Sequence, residues 1–170
     1  MMFLQTERTI LRDANHDDAS FLLKLVNEPG WQRFIGDRNI HDLEGARNFI
    51  DQRWREIYPK LGFGLCVATQ KETDIPIGVV GFVRRETLDA PDIGYAISAA
   101  HQGKGYAFEL SRALIEYGWD VLGYERIYGY CQPDNQASIR LMEKLGLTYL
   151  RDQDVNNTGD ICKLYGICRP

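Results

Sequence analysis

The decapeptide HQGKGYAFEL, His101 to Leu110, combines a loosened backbone, a positive charge and a helix start. Gly103 and Gly105 bracket Lys104, and an apolar-periodic segment follows at once. A helix N-terminus leaves backbone N–H groups without intrahelical partners and carries partial positive charge. Such a terminus seats anions, phosphates in particular. Glycines let a ligand lie against the backbone. Lys104 adds a point charge, and Gln102 can fix the loop or donate to an oxygen. Two other glycine motifs do not fit. A Walker A loop needs glycine at 98 and Ser or Thr at 105, where the chain has Ser98 and Gly105. A dinucleotide fingerprint needs glycine at 108, where Phe108 stands. From the decapeptide alone, a plain strand-to-helix turn with conformational glycines reads equally well.

Other chemistry-bearing residues are scattered. Cys66, Cys131, Cys162 and Cys168 show no CxxC spacing, so the expectation is small buried or half-buried thiols rather than a zinc site or a disulfide framework. His16, His41 and His101 are isolated, and no metal is expected. Net charge of −4 and pI of about 5.4 speak against a broad nucleic-acid surface and suit a cationic amine. With 44% hydrophobic and 26% charged residues the composition is soluble and globular. The 170 residues fit one domain, 1–170. No apolar run approaches the roughly 18 residues of a membrane span, and MMFLQTERTI lacks a signal-peptide pattern. The expectation is a cytoplasmic protein with no membrane partner, a monomer or a homodimer.

The elements that must position the loop follow from periodicity. TILRDAN reads as a strand. HDDASFLLKLVNEP is a helix with Phe21, Leu22, Leu25 and Val26 at helical spacing, closed by Pro29. IHDLEGARNFIDQRWREIYPKLG is a second helical segment with a stripe at Ile50, Trp54 and Ile57, stopped by Pro59. GLCVATQ, IPIGVVGFVRR and DIGYAIS are strands joined by short turns, hence antiparallel. GKGYAFELSRALIEYGWDVLG is a long amphipathic helix through Tyr106, Leu110, Ala113, Leu114, Tyr117 and Val121. RIYGYC, DNQASIRLMEKLG, LTYL and ICKLYGI continue as strand, helix, strand, strand. The strands flanking the long helix should be parallel neighbours, because that helix is a crossover. The result is a mixed α/β domain.

QGKGYA fits the pattern Q/R-x-x-G-x-G/A, with Gln102, Gly105 and Ala107 in register, and NQASIRLMEKLGL follows about thirty residues on. Together, in this order, the two segments resemble the GCN5-related N-acetyltransferase (GNAT) superfamily. TERTILRDANHDDA, PIGVVGF and DIGYAI look like its branch of ribosomal-protein N-terminal acetyltransferases. The resemblance covers nearly the whole chain. It implies a single-domain fold with a mixed, mostly antiparallel sheet splayed at a V-shaped cofactor site. It implies acetyl-CoA as acetyl donor, its pyrophosphate held by Gln102, Gly103, Lys104, Gly105, Tyr106 and Ala107. The backbone at Ile97 and Ser98 would pair with the pantetheine arm as a missing strand would, and Asn135 would bind that arm while capping its helix.

The implied reaction is direct acetyl transfer to a primary amine. An amine with a pKa of about 10.4 is almost wholly protonated at neutral pH, so a base should help. A family carboxylate near Asp92 can take that role, with Glu86 a weaker candidate. The oxyanion needs a donor such as a strand amide near Ile97. Many family members place a tyrosine on the later helix to protonate the leaving thiolate, in the pattern N-x-x-A-x-x-L-Y. Here Met142 occupies that position, and Ser138 stands where the alanine would be. Ser138 is therefore expected to donate to the sulfur. Tyr128, Tyr130 and Cys131 read as structural. The junction EPGWQRFIGDRNI is expected near the acceptor, with Trp31 and Phe34 either walling a groove or packing as an ordinary pair. Protein N-terminus, small amine, polyamine and antibiotic all fit as acceptor. The Met142 departure leaves a second reading, a non-catalytic acyl-CoA-binding or sensor domain on the same scaffold.

Overall fold

The computed structural model describes residues 4–55 and 64–170. Its strands are β1 (Leu4–Gln5), β2 (Thr9–Arg12), β3 (Leu65–Gln70), β4 (Pro76–Val83), β5 (Asp92–Ile97), β6 (Arg126–Cys131), β7 (Thr148–Gln153) and β8 (Cys162–Cys168). Its α-helices are α1 (Ala19–Val26), α2 (Pro29–Phe34), α3 (Leu43–Ile50), α4 (Tyr106–Asp120) and α5 (Gln136–Lys144).

Among the described residues the strands form one open sheet, in the order β1-β2-β3-β4-β5-β6-β8-β7. Hairpin-joined neighbours are antiparallel, whereas β5 and β6 are parallel, because α4 crosses between them. That parallel pair meets at one register position, Asp92 opposite Tyr128, where the Tyr128 amide donates to the Pro91 carbonyl at 2.9 Å. Beyond it the two strands part. The sheet therefore opens as a V between β5 and β6.

Both faces are covered. Leu110, Leu114 and Ile115 of α4, with Met142 of α5, pack on Phe82, Ile93 and Ile127. On the other face Leu22, Leu25 and Val26 of α1, with Ala46 and Ile50 of α3, pack on Val67 and Val79. A smaller cluster of Leu88, Tyr128, Val155, Cys162 and Leu164 backs β6 and β8.

Three local expectations are corrected. Pro29 does not close a helix but opens α2, where its missing N–H costs nothing at the first helical position. The segment from Ile40 is helical over Leu43–Ile50 and continues as a π turn over Asp51–Arg55, while Ile57, Pro59 and the Trp54 side chain lie outside the described residues. Val121 lies beyond the end of α4 and is 63% exposed, so the buried stripe runs instead through Ser111, Ile115 and Gly118.

Candidate active site

The glycine loop lies at the open end of β5. Gly103 and Gly105 have φ of +73° and +82°, a left-handed conformation that side-chain-bearing residues rarely adopt. Gly105 caps α4 with no side-chain hydrogen bond, so no capping side chain occupies the first-turn amides. Among the described residues nothing lies within 4 Å of where a Cβ on Gly103 would stand. The loop is tied back to the sheet: the Gln102 amide donates to the Ile97 carbonyl at 2.8 Å, and the Lys104 ammonium to the Ala100 carbonyl at 3.0 Å. The Tyr106 ring points into the core and its hydroxyl accepts from Gln70 at 2.9 Å, so the site receives only its backbone. Ala107 is half-buried behind it. Sequence reasoning missed Arg8, which donates to the Lys104 carbonyl at 3.0 Å and lies 4.5 Å over the Tyr106 ring.

The open edge of β5 follows from strand alternation. The Ser98 amide donates to Ile77 across the sheet at 2.9 Å. Ser98, Ala96, Gly94 and Asp92 thus turn their backbone groups toward β4, and Ile93, Tyr95 and Ile97 turn theirs toward β6. Because β6 bends away, Tyr95 and Ile97 offer an unpaired edge, with the Ile97 carbonyl taken by Gln102. An extended, amide-bearing chain can add to such an edge as a strand. Helix α2 spans the mouth of this V. The Ala99 amide donates to Glu28 at 2.9 Å, and Arg33 at the other end of α2 donates to Asp134 at 2.7 Å.

Ser138 sits where the arms part. Asn135 caps α5, its Oδ1 accepting from the Ser138 amide at 3.2 Å. The Ser138 hydroxyl lies buried 2.6 Å from the Tyr95 hydroxyl. Burial pushes the Tyr95 phenol up to about 12, against the Ser138 bond that lowers it. Burial likewise pushes the Cys131 thiol up to about 11, again opposed by a bond from Ser138. Tyr95 from β5, Cys131 from β6 and Ser138 from α5 therefore meet, all uncharged at neutral pH. A neutral Tyr95 can donate to Ser138 Oγ, which turns the serine's own hydrogen toward a third group, here the Cys131 sulfur. Met142 is elsewhere, fully buried beneath β6, where a Cβ on Gly129 would stand 2.8 Å from its sulfur.

Asp92 lies on the opposite face. It shares parity with Gly94 and Ala96, whereas Tyr95 points toward Ser138. Asp92 is 1% exposed and accepts from Arg85 Nε at 2.8 Å. Its Oδ2 is buried with no hydrogen-bond partner. Burial raises the carboxyl to about 6, with Arg85 pulling it down. Arg85 in turn lies 4.7 Å over the Tyr130 ring and donates to Asn156 at 2.7 Å. Glu86 is exposed on the loop that follows β4. Trp31 does not wall a groove: it is buried in the core with α1 and α3. Phe34 is half-buried under Arg33. Among the described residues no group of three or more His, Cys, Asp or Glu is placed to hold a metal.

Tyr95 and Arg85 were also missed. DIGYAI carries a signal for Tyr95, since alternation puts it opposite Asp92 and on the helix side. Nothing local marks Arg85 among its neighbours.

A sheet opened between two parallel strands, with a glycine-lined helix terminus at the opening, defines a mixed α/β scaffold with a cleft suited to an anionic ligand. A model of the acetyltransferase (GNAT) domain matches residues 8–148. The chain is 33% identical over 147 residues to a Bacillus licheniformis protein described as the uncharacterized N-acetyltransferase p20, covering 85% of this chain and 82% of that one. The chain belongs to the GNAT acetyltransferase family. Solved structures share the fold. A GNAT-family acetyltransferase from Bacillus anthracis superposes with a TM-score of 0.81 at 23% identity over 98% of both chains. RimL, a ribosomal L7/L12 alpha-N-protein acetyltransferase in complex with coenzyme A, does so with 0.82 at 19% identity, also over 98% of both.

Proposed function

We propose that the protein transfers an acetyl group from acetyl-CoA directly to a primary amine. The observation that carries this reading is the open β5 edge, with a glycine-lined helix terminus at one end and the Ser138–Tyr95 pair beside it. The space beside Gly103 and the uncapped α4 terminus suit a pyrophosphate, and the Tyr95–Ile97 edge suits the amides of a pantetheine arm. Asn135, half-buried at the same mouth, keeps its side-chain nitrogen for that arm. When bound, acetyl-CoA supplies an activated acetyl group and a thiolate leaving group.

The residues of this chain divide the proton work between the two faces. Asp92, ionised above about pH 6, accepts a proton from the incoming amine on its face, directly or through water. Ser138 donates a hydrogen bond to the departing sulfur on the other and Tyr95 orients the serine; the thiolate takes its proton from solvent on release, and Asp92 returns its own to solvent. Cys131 is close to both, but a thiol held up at about 11 is a weak nucleophile at neutral pH, which favours direct transfer over an acetyl-cysteine.

The alpha-N acetylation of a ribosomal protein by RimL supports a protein N-terminus as one acceptor class, beside small amines. No helix among the described residues is long and apolar enough to cross a membrane. The test is calorimetry with CoA in EDTA, followed by thiol release from acetyl-CoA with and without added amines. Binding plus amine-dependent release is expected. Binding without release from any amine would leave a sensor domain.

A further inference from the structure

The glycine loop is braced by a segment far from it in the chain, the turn between β1 and β2. Thr6 closes that turn: its amide donates to the Thr9 carbonyl at 2.9 Å, and its hydroxyl accepts from the Thr9 amide at 3.0 Å. The Lys71 amide donates to the Arg8 carbonyl at 3.0 Å, which fixes the turn to the end of β3. From there the turn reaches Glu109, in the first turn of α4. The Thr6 hydroxyl, the Arg8 amide at 2.9 Å and Arg8 Nε at 2.6 Å all donate to its carboxylate. Partial burial pushes the Glu109 carboxyl up, but these bonds hold it below its ordinary range. Arg8 Nη1 donates to the Lys104 carbonyl at 3.0 Å, and the guanidinium lies 4.5 Å over the Tyr106 ring. One side chain thus grips both the loop and the helix that the loop opens.

In a trans peptide the carbonyl and the following N–H point in opposite directions. The bond that draws the Lys104 carbonyl to Arg8 therefore turns the Gly105 N–H the other way. Left alone, that peptide would flip at little cost, because glycine tolerates either sign of φ. Gly105 sits at +82°. A flipped peptide would aim a carbonyl dipole at a bound anion. Glu109 poses a second difficulty. A carboxylate in the first turn steadies a helix N-terminus but repels an anion seated there. Arg8 offsets that charge and holds the carboxylate against the β1–β2 turn. A guanidinium fork makes both contacts at once, whereas an ammonium is a point charge.

Resting on the acetyl-transfer reading for its ligand, we propose that Arg8 is a positioning residue of the phosphate seat. It locks the Lys104–Gly105 peptide with the Gly105 N–H available to the pyrophosphate, and it offsets the charge of Glu109. Arg8 touches no reacting atom and acts through the loop.

The experiment is calorimetry with CoA and with pantetheine, which lacks the phosphates. Arg8→Ala should weaken CoA roughly tenfold, the order for one charge-assisted contact, and leave pantetheine within about twofold. Arg8→Gln, closer in volume, serves if Arg8→Ala does not fold. Arg8→Lys restores the charge without the fork and should recover only part of the loss. Arg8→Ala combined with Glu109→Gln removes the uncompensated charge, yet should stay roughly threefold or more weaker than wild type, since the peptide is still free. In the thiol-release assay the loss should fall on KM for acetyl-CoA, with kcat within about twofold. The Gly105 amide resonance should shift on adding CoA to the wild type, and shift less in Arg8→Ala. Wild-type CoA affinity in Arg8→Ala overturns the proposal. So does full recovery in Arg8→Lys, which would leave charge alone, or an equal loss for CoA and pantetheine, which would mean a cleft deformed as a whole. If the wild type binds CoA but releases no thiol with any amine, the transfer reading alone fails and calorimetry still decides the role of Arg8. No CoA binding by the wild type overturns both.

Discussion

Replacing Ser138 by alanine tests the geometry at the mouth of the V. The Ser138 and Tyr95 hydroxyls are 2.6 Å apart in a part-buried contact. Alanine is a good helix former, and the Asn135 cap bonds the backbone amide of residue 138, so the helix itself should survive. The cost falls on Tyr95, whose part-buried hydroxyl loses its 2.6 Å partner and keeps the carbonyl of residue 138 at 3.5 Å, at about 1 kcal/mol. Tyr95→Phe removes the other end and leaves the smaller serine hydroxyl, at a cost of about 1 kcal/mol. The double variant strands neither group. Its loss in urea unfolding should therefore fall short of the sum of the single losses by about 0.5–2 kcal/mol. On catalysis, Ser138→Ala should slow turnover roughly ten- to a thousandfold, or about 1.4–4 kcal/mol at the transition state, with CoA affinity within twofold by calorimetry. Tyr95→Phe should slow it by about tenfold or less, since the serine donor remains. Additive stability losses would refute the coupling. Full turnover in Ser138→Ala, under conditions where chemistry limits the rate, would refute the donor role.

Three further outcomes follow from the same geometry. Gly105→Val places a β-branched residue at a φ of +82°, with its Cβ 3.4 Å from Arg8 Nη2; CoA affinity should fall at least tenfold by calorimetry in a variant that still folds, and unchanged affinity would count against the phosphate seat. Asp92 has its carboxyl raised to about 6, so the folded state binds more protons than the unfolded chain between about pH 4 and 6, and stability falls as pH rises through that window. Asp92→Asn should flatten that slope in urea unfolding, and should also remove a limb near pH 6 from the kcat/KM profile while lowering its plateau roughly a hundredfold or more. A pH profile that keeps the limb would clear Asp92 of the base role. Met142→Tyr should overpack the core under Gly129 and cost about 1–3 kcal/mol in thermal or urea unfolding. It should not rescue turnover in the Ser138→Ala background, because residue 142 does not face the V.

How much of this was legible in the sequence depends on the range of the interaction. The glycine loop, the crossover helix and the DIGYAI strand carry their own periodicity and turn residues, so β5, β6 and α4 came out within a few residues. The parallel pairing of β5 with β6 followed from the crossover alone. The Pro29 boundary was misread because proline ends one helix and begins another by the same constraint, a fixed φ and a missing donor. Trp31 was ambiguous for a different reason: an aromatic at helical spacing packs inward or lines a groove depending on what lies opposite, and here that is α1 and α3. Tyr95 was hidden although alternation places it, since its importance comes from Ser138, 43 residues away in sequence. Arg85 was invisible for the same reason: its partners Asp92 and Asn156 are 7 and 71 residues away. Single charges in loops acquire meaning only when the fold gathers them.

The central claim is direct acetyl transfer between the two faces of the open sheet. Its most direct measurement is mass spectrometry of a quenched single turnover with acetyl-CoA, an acceptor peptide identified by the thiol-release assay and EDTA, reading peptide and protein together. The account predicts acetyl on the peptide amine in step with free CoA, and none on Cys131 at any time. Acetyl on Cys131 preceding acetyl on the peptide, or CoA released at the same rate without the peptide, would contradict it.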